Sequence, residues 1–267
     1  MKKIQLLSLL ALALPASSYA SLEIYKVPGP DLSNTIQAQT RVLELGDAPT
    51  ESGCITWNGS ANVYGGTGCT AGGAGFTGGD EQPSSTTRTA GSLGIVDGSD
   101  LRIIFDANET SGDSINLDDL RLLLLDPTNG NVIFSADLAD PCTAAGGVAG
   151  VTTTGGLCTI NPTLTGNGKN DALIRLDAVQ AAAFDTAVHN WIVGGGSSLA
   201  NVRIGLLANV SGPTSGGFEG FYVGNRATFD PPVPEPGTLA IVGLGLACTM
   251  FARRRWARTE LRPFSAA

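Results

Sequence analysis

A cluster of carboxylates in the middle of the chain has residue types that could do chemistry. Within FDANETSGDSINLDD, the carboxylates are Asp106, Glu109, Asp113, Asp118 and Asp119, and Asn108 adds an amide oxygen among them. Such oxygen-rich segments bind calcium, which takes about six to eight oxygen ligands. The EF-hand order is not followed, because Thr110 and Ser111 stand where that loop carries Asp or Asn and then Gly. Two interpretations stay open: a calcium site using Asp106, Asn108, Asp113 and Asp118, or a solvated acidic loop beside a strand.

The same carboxylates raise the question of catalysis. Glycoside hydrolysis needs two carboxyl groups about 5 to 10 Å apart in a cleft, a geometry that sequence does not encode. His189, the one histidine, has no Ser-His or Cys-His spacing near it, and neither H-E-x-x-H nor G-x-S-x-G occurs. The segment 73–78 fits G-x-G-x-x-G, but it follows no predicted strand and opens no predicted helix. We therefore expect no enzyme and no cofactor, with calcium as the one candidate ligand.

The N-terminus has the three parts of an export signal. Met1, Lys2 and Lys3 form a basic start, IQLLSLLALAL follows as an apolar run, and residues 18–20 form a small-x-small cleavage site. As a helix the apolar run is about 16 Å long, too short for a bilayer core of about 30 Å. Residues 1–20 are therefore predicted to be a cleaved signal peptide, with Ser21 as the first mature residue.

Export makes disulfides the first interpretation of the cysteines, because disulfides persist in oxidising compartments. The four cysteines ahead of the tail are Cys54, Cys69, Cys142 and Cys158. They allow three pairings, of which the two local ones would each close a loop in Gly- and Thr-rich sequence. Metal ligation is the alternative, although the chain has no C-x-x-C and no histidine beside them. Cys248 lies in the apolar run near the C-terminus and is expected to stay unpaired.

That C-terminal run has the pattern of a membrane segment. Residues 238–252, TLAIVGLGLACTMFA, carry no charge, and Arg253, Arg254 and Arg255 follow at once. A helix of this length is about 22 Å long, which a locally thinned bilayer and snorkelling arginines accommodate. Arginines on the C-terminal side would hold that end in the cytoplasm and leave the body outside. The alternative is an apolar core helix, against which stand the all-round hydrophobicity and the adjacent arginines.

The order of features at this end resembles the PEP-CTERM sorting domain of Gram-negative bacteria. Val233 precedes the tripeptide Pro234, Glu235 and Pro236, after which come the apolar segment and the arginine cluster. The resemblance implies that the tripeptide is recognised by an exosortase-type membrane protease and that the apolar span is a transient anchor in the inner membrane. It further implies that the arginines act as the stop and that the protein ends at the cell surface, in association with exopolysaccharide and biofilm.

Charge excludes one class of partner. The whole chain has a formal net charge of −8, and residues 21–234 hold 22 Asp and Glu against 9 Lys and Arg, a net −13. Nucleic-acid binding relies on Lys and Arg to displace counterions from phosphates. An acidic body would be repelled, so we expect no nucleic-acid partner.

Short apolar or alternating runs separated by Gly, Pro and Asn predict strands in the body. The runs start at residues 35, 101, 120, 131, 172, 202 and 218. Asn129 and Gly130 predict a hairpin with a tight primed turn, since they tolerate positive φ. Asp177 and Gln180 predict a capped helix that ends at Gly194–Gly196. Residues 53–91 and 143–168 are rich in Gly, Ser and Thr and are predicted as loops, each restrained by one disulfide.

Together these patterns predict a mainly β protein, an antiparallel β-sandwich of jelly-roll-like form with one short helix. The predicted divisions are 1–20 signal peptide, 21–229 exported body, 230–237 Pro-rich linker, 238–252 transmembrane sorting helix and 253–267 basic cytoplasmic tail. The function expected is structural or adhesive at the cell surface, within or against extracellular polysaccharide. Two alternatives remain, a glycan-processing enzyme and a carbohydrate-binding module or adhesin. The second would be supported if one sheet face carried the aromatic residues Trp57, Tyr64, Phe76, Phe221 and Tyr222.

Overall fold

The computed structural model describes most of the exported body. Its described residues are 21–26, 33–46, 50–65, 69, 76, 78–107, 114–138, 151–154, 157–160, 172–212 and 217–229. They belong to the first of two compact units, Met1–Asp230, and the second unit, Pro231–Ala267, lies outside them. The predicted signal peptide, Pro-rich linker, sorting helix and basic tail also lie outside the described residues. These four segments stay predictions.

The described part of the chain is mainly β, as predicted. Its strands are β1 (Leu22–Lys26), β2 (Arg41–Glu44), β3 (Thr50–Trp57), β4 (Asn62–Tyr64), β5 (Arg88–Thr89), β6 (Leu101–Asp106), β7 (Ile115–Leu125), β8 (Val132–Asp137), β9 (Val151–Thr154), β10 (Leu157–Ile160), β11 (Ala172–Leu176), β12 (Arg203–Ser211) and β13 (Gly220–Asn225). Its helices are α1 (Asn34–Thr40), α2 (Ala178–Val193), α3 (Arg226–Phe229) and a 3₁₀ turn at Leu199–Asn201.

The strands form two antiparallel sheets. A five-stranded sheet has the order β1-β11-β6-β13-β2. An eight-stranded sheet has the order β4-β3-β12-β7-β10-β9, with β5 beside β12 and β8 beside β7. Every named strand pair is antiparallel, which agrees with the alternating patterns in the sequence.

One hydrophobic core draws side chains from both sheets. Ile103 and Phe105 of β6 belong to it, as do Leu122 and Leu124 of β7. Alternate residues of these strands point to opposite faces, so the same strands also feed two smaller clusters elsewhere. Leu123 and Leu125 join one of them, and Ile104 joins the other. Each sheet is therefore covered by apolar contacts on both faces in part of its area, which explains the unbroken run LLLL in β7.

Helix α2 occurs where the sequence predicts it. The Asp177 side chain accepts a hydrogen bond from the backbone N–H of Gln180 at 2.7 Å, the N-cap contact that the Asp-x-x-Gln pattern indicates. Ala181, Phe184 and Val188 are its buried residues, spaced to face one side, and the helix ends at Gly194. The Phe184 ring meets Phe134 of β8 edge to face, with centroids 5.6 Å apart. The helix thus covers one edge of the shared core.

The prediction of a single helix is wrong, because two short helices accompany α2. The run beginning at Thr35 was predicted as a strand, yet its first part is α1 and strand pairing begins at Arg41. Ser33 caps α1: its hydroxyl accepts from the N–H of Ile36 at 3.4 Å. This cap and the packing of Ile36 against a buried cluster outweigh the strand-like alternation.

The hairpin predicted at Asn129 and Gly130 joins β7 to β8, but its turn is larger than the two-residue primed turn expected. The N–H of Gly130 donates to the carbonyl of Asp126 at 2.9 Å, and the N–H of Asp126 donates to the carbonyl of Asn131 at 2.8 Å. Gly130 has φ +76°, and a Cβ there would meet the Trp57 carbonyl at 2.1 Å. The Asp126 side chain accepts from the N–H of Thr128, which favours this wider loop.

The two glycine-rich stretches predicted as loops contain strands, so that prediction is wrong in part. Residues 53–91 hold most of β3 with β4 and β5, and residues 143–168 hold β9 and β10. Strand β3 lies beside β12 within the larger sheet. A Cβ on Gly53 would come within 2.3 Å of the Leu45 side chain, so a glycine allows the two to approach closely. None of the helices among the described residues is long and apolar enough to span a membrane.

Candidate functional site

The described structure ends at the point where the chain leaves the body for the predicted linker. Helix α3 is fixed by two contacts: the N–H of Arg226 donates to Asp100 at 3.1 Å, and the N–H of Thr228 donates to the Asn225 side chain at 2.8 Å. Phe229, the last described residue, is fully buried. Its neighbours are Ile104, Leu173 and Tyr222, with Tyr25 and Ile36 packed around this cluster. The last described residue is therefore anchored in the body, five residues before the predicted tripeptide begins at Pro234.

The predicted start of the mature chain is also fixed. The backbone N–H of Ser21 donates to Oδ2 of Asp177 at 2.8 Å, and the N–H of Asp177 donates back to the Ser21 carbonyl at 3.1 Å. Strand β1 begins at Leu22, which lies opposite Leu176 of β11. The residue that directly follows the small-x-small site is thus held to the fold by two hydrogen bonds of its backbone groups.

The first strand of the body begins, and its last strand ends, at the same end of the five-stranded sheet. Strand register shows this: Arg175 of β11 lies opposite Arg102 of β6, and Leu101 lies opposite Asn225 of β13. Continued by one residue, these registers place Ser21, Asp177, Asp100 and Arg226 in one row across the sheet, from the start of β1 to the end of β13. With strands about 4.8 Å apart, three spacings separate the start of β1 from the end of β13 by about 14 Å. Sequence reasoning missed this, because strand order joins residues more than 200 positions apart.

One of the two local cysteine pairings that the sequence allows is present. Cys54 and Cys69 are bonded, with their Cα atoms 5.5 Å apart. Cys158 is also in a disulfide, whereas Cys142, its predicted partner, lies outside the described residues. Pairing of Cys54 with Cys69 excludes the two long-range pairings for both of them and the metal interpretation for this pair.

The Cys54–Cys69 loop is packed more firmly than predicted. Cys54, Cys69 and Phe76 form a small buried cluster with the side chains that the larger sheet turns away from the shared core, Leu123, Leu125 and Leu207. Arg121 lies over the Phe76 ring, 5.3 Å from its centroid, and pairs with Asp137 of β8. The disulfide and the Phe76 ring therefore cover part of the outer face of the larger sheet.

The calcium candidates are not brought together in the part of the chain that the structure describes. Asp106 is buried on β6 of the smaller sheet, while Asp118 lies on β7 of the larger one. Asn108 and Asp113 lie outside the described residues. No group of three or more His, Cys, Asp or Glu suited to a metal occurs among the described residues. Burial raises the pKa of the Asp118 carboxyl and a hydrogen bond from Ser211 lowers it, with a net rise above the usual 3.8.

His189 lies on the exposed side of α2, as expected of a helix-surface histidine. The segment 73–78, with its G-x-G-x-x-G pattern, lies mostly outside the described residues, and its Phe76 is buried against the larger sheet. Neither observation indicates a nucleotide or a histidine-based site.

The five aromatic residues proposed for sugar binding do not share a face. Phe221 is buried in the main core and stacks on Phe105, with centroids 4.9 Å apart. Tyr222 follows it on β13 and points to the opposite face, where it is also buried and lies 5.7 Å from Arg41. Phe76 is buried, and Arg203 covers the Trp57 ring at 3.9 Å. Tyr64, with 43% of its surface exposed, is the most accessible of the five.

A groove at the C-terminal end of α2 has an aromatic wall. Trp191, Asp126, Thr128 and Gly194–Gly196 line it, together with Ser197. The Trp191 Nε1–H donates to Oδ2 of Asp126 at 2.9 Å. Burial raises the pKa of Asp126, but the hydrogen bonds from Thr128, Trp191 and Asn129 together lower it by more than burial raises it. The net shift of the pKa is therefore downward, and the carboxylate is ionised at neutral pH. The Gly196 backbone lies against the Trp191 ring, since a Cβ there would be 2.4 Å from it.

Comparison with known proteins identifies the C-terminal signal. The family model of the PEP-CTERM protein-sorting motif matches residues 232–255. This stretch includes Pro234–Pro236, the apolar run and Arg253–Arg255. Neither a curated protein nor a solved structure matches the chain. The match confirms the resemblance seen in the sequence and indicates export across the membrane with surface display through a C-terminal signal.

Proposed function

We propose that this exported chain serves as a structural or adhesive protein of the cell surface or extracellular matrix, linked to exopolysaccharide and biofilm. The observation that carries the proposal is the sorting-motif match at residues 232–255. In this account the protein is not an enzyme. The body supports a structural role because a disulfide restrains part of it and because apolar side chains pack on both faces of its sheets. We assign the two-sheet architecture to a jelly-roll-like β-sandwich.

The sorting steps follow from the order of features along the tail. A signal peptidase would release residues 1–20, and the segment 238–252 would then arrest the chain in the inner membrane as an intermediate. Arg253–Arg255 would hold the cytoplasmic end in place. An exosortase-type membrane protease would recognise Pro234, Glu235 and Pro236 and cut near them. Prolines from position 231 onward disfavour helix and sheet, which suits a protease that needs extended, unpaired backbone.

The sorting steps are tested with two matched proline variants in the native host. Pro234→Ala with Pro236→Ala alters the recognition tripeptide, whereas Pro231→Ala alters a proline outside the matched residues. We expect the first variant to accumulate in the membrane fraction with an intact C-terminus, detected by an antibody against residues 256–267. The Pro231→Ala chain should be processed like the wild type. Equal processing of both variants would refute recognition of the tripeptide.

A carbohydrate-binding role is the second candidate, favoured by the groove at Trp191. An aromatic ring beside an ionised carboxylate offers a sugar one apolar surface and one hydrogen-bond acceptor. The Asp126 carboxylate already accepts hydrogen bonds from within the protein, and the Gly196 backbone lies against the Trp191 ring. These contacts favour a structural role for Asp126 and Trp191 instead. Co-sedimentation of the full chain with purified host exopolysaccharide separates the two roles. A Trp191→Phe variant that loses binding would support the groove, and the surface variant Val193→Ala serves as its control.

A further inference from the structure

We propose that Asp177 is the binding site for the ammonium group that signal cleavage creates at Ser21, so that removal of the signal peptide locks the start of the fold. The inference rests on cleavage between Ala20 and Ser21, and it goes beyond the sorting function. It assigns an electrostatic role to a residue whose predicted role was only that of a helix cap.

The geometry is already in place at this junction. Oδ2 of Asp177 lies 2.8 Å from the Ser21 nitrogen, while Oδ1 accepts from the Gln180 N–H at 2.7 Å. The reverse bond, from the Asp177 N–H to the Ser21 carbonyl, sets the two backbones side by side. Leu22, the next residue, is fully buried. One carboxylate therefore joins the first turn of α2 to the first residue of the mature chain.

Cleavage changes the chemistry of one atom of this pair. Hydrolysis adds water across the Ala20–Ser21 peptide bond, leaving a carboxylate on Ala20 and an amine on Ser21. A free α-amino group has a pKa of about 7.7 to 8.0, so at neutral pH it takes a proton and carries a full positive charge. The bond from a neutral amide N–H to the carboxylate becomes an ion pair between two full charges, which adds Coulombic attraction to the hydrogen bond. Ser21 and Asp177 are both half-buried, so water screens the pair less than it screens a surface pair.

The charged side chains of β1 and β11 next to the Ser21–Asp177 contact form an ion pair with each other. Glu23 of β1 pairs with Arg175 of β11 at 2.6 Å, two residues along from Ser21 and Asp177. Asp100, beside Asp177 at the start of β6, accepts from the N–H groups of Val96 at 3.4 Å and Arg226 at 3.1 Å. The N-terminus of α2 has a positive dipole end, which favours a carboxylate at position 177. Asp177 is thus the negative group placed to receive the new ammonium.

A thermodynamic cycle tests the proposal on the chain from Ser21 to Ala267 in mild detergent. The chain is prepared with Ser21 first or with one extra residue, Ala20, ahead of it, each with Asp177 or Asp177→Asn. Asparagine keeps the N-cap, because Asn and Asp cap helices almost equally. We expect the extra alanine to lower the folding equilibrium constant about tenfold when Asp177 is present and to have little effect in Asp177→Asn.

Asp185→Asn is the matched control. Asp185 also lies on α2 and accepts a backbone N–H, that of Gly98 at 2.8 Å, but it does not contact the chain start. In this variant the full effect of the extra alanine should remain. A penalty from the extra alanine that is equal with Asp177 and with Asp177→Asn would overturn the proposal, since the ammonium would then have no special partner. A mature chain that begins elsewhere than Ser21 would overturn it too, without touching the sorting function.

Discussion

The ring of Phe229 lies directly against Gly224 of β13. A Cβ built on Gly224 would come within 2.9 Å of Cζ of Phe229, closer than real Cβ contacts allow. Phe229 is fully buried, and the Pro-rich segment begins two residues later. The contact therefore holds the side chain of the last described residue against β13.

Gly224→Ala tests this contact. We expect the variant to lose about 1 to 3 kcal/mol of unfolding free energy, because an added methyl in a filled space forces the Phe229 ring to shift. Gly46→Ala is the control, since its nearest atom beyond the chain neighbours would be an ordinary 3.5 Å away. Urea unfolding of the full chain, followed by tryptophan fluorescence, measures both. A Gly224→Ala chain as stable as Gly46→Ala would show that Phe229 does not hold the end of the body.

The disulfide between Cys54 and Cys69 should contribute strongly to stability. The bond joins residues 15 positions apart, and closing such a loop contributes about 3 kcal/mol by restricting the unfolded chain. We expect the double variant Cys54→Ser, Cys69→Ser to lose about this amount in urea unfolding. Cys248→Ser, which alters the cysteine predicted to be unpaired, should change nothing. A loss in the double variant no larger than in Cys248→Ser would contradict a restraining role.

Two carboxylates near β7 should give opposite pH dependences. The pKa of Asp126 is lowered in the fold, so its contribution to stability is present above about pH 4 and is lost as the pH falls through the folded value. The pKa of Asp118 is raised, so its contribution is present below about pH 4 and is lost as the pH rises through the folded value.

The two asparagine variants measure these signs separately. Asp126→Asn should be more destabilising at pH 7 than at pH 3, whereas Asp118→Asn should compare more favourably with the wild type at pH 7 than at pH 3. Thermal unfolding of the full chain at both pH values gives the two differences. The same sign of pH dependence in both variants would be inconsistent with the environments described for these residues.

Strong local patterns predicted much of the fold. The apolar runs at β6, β7, β8, β11, β12 and β13 and the cap at Asp177 are local signals, and each element occurs near its predicted place. Strand β3 was missed, because Gly53 weakens its local pattern and its pairing with β12 connects residues more than 150 positions apart. Helix α1 was misread because alternation in a short segment does not distinguish a strand from a capped helix.

The candidate sites divide in the same way. The sorting signal is a linear motif, so its order of tripeptide, apolar run and arginines was visible in the sequence and is matched by the family model. Asp177 was recognised only as a cap, since its contact with Ser21 joins residues 156 positions apart. The burial of Phe221 and Tyr222 also depends on both faces of one sheet being covered, which composition does not reveal.

The mass of the mature protein from its native host, read at both ends, tests the central claim most directly. The account predicts a chain that begins at Ser21 and ends between Pro234 and Gly237, because both the export signal and the sorting tail are removed. Recovery of a chain that retains Arg253–Arg255 and the final residues 264–267 would contradict it, since the tail would then be a permanent anchor and not a sorting signal.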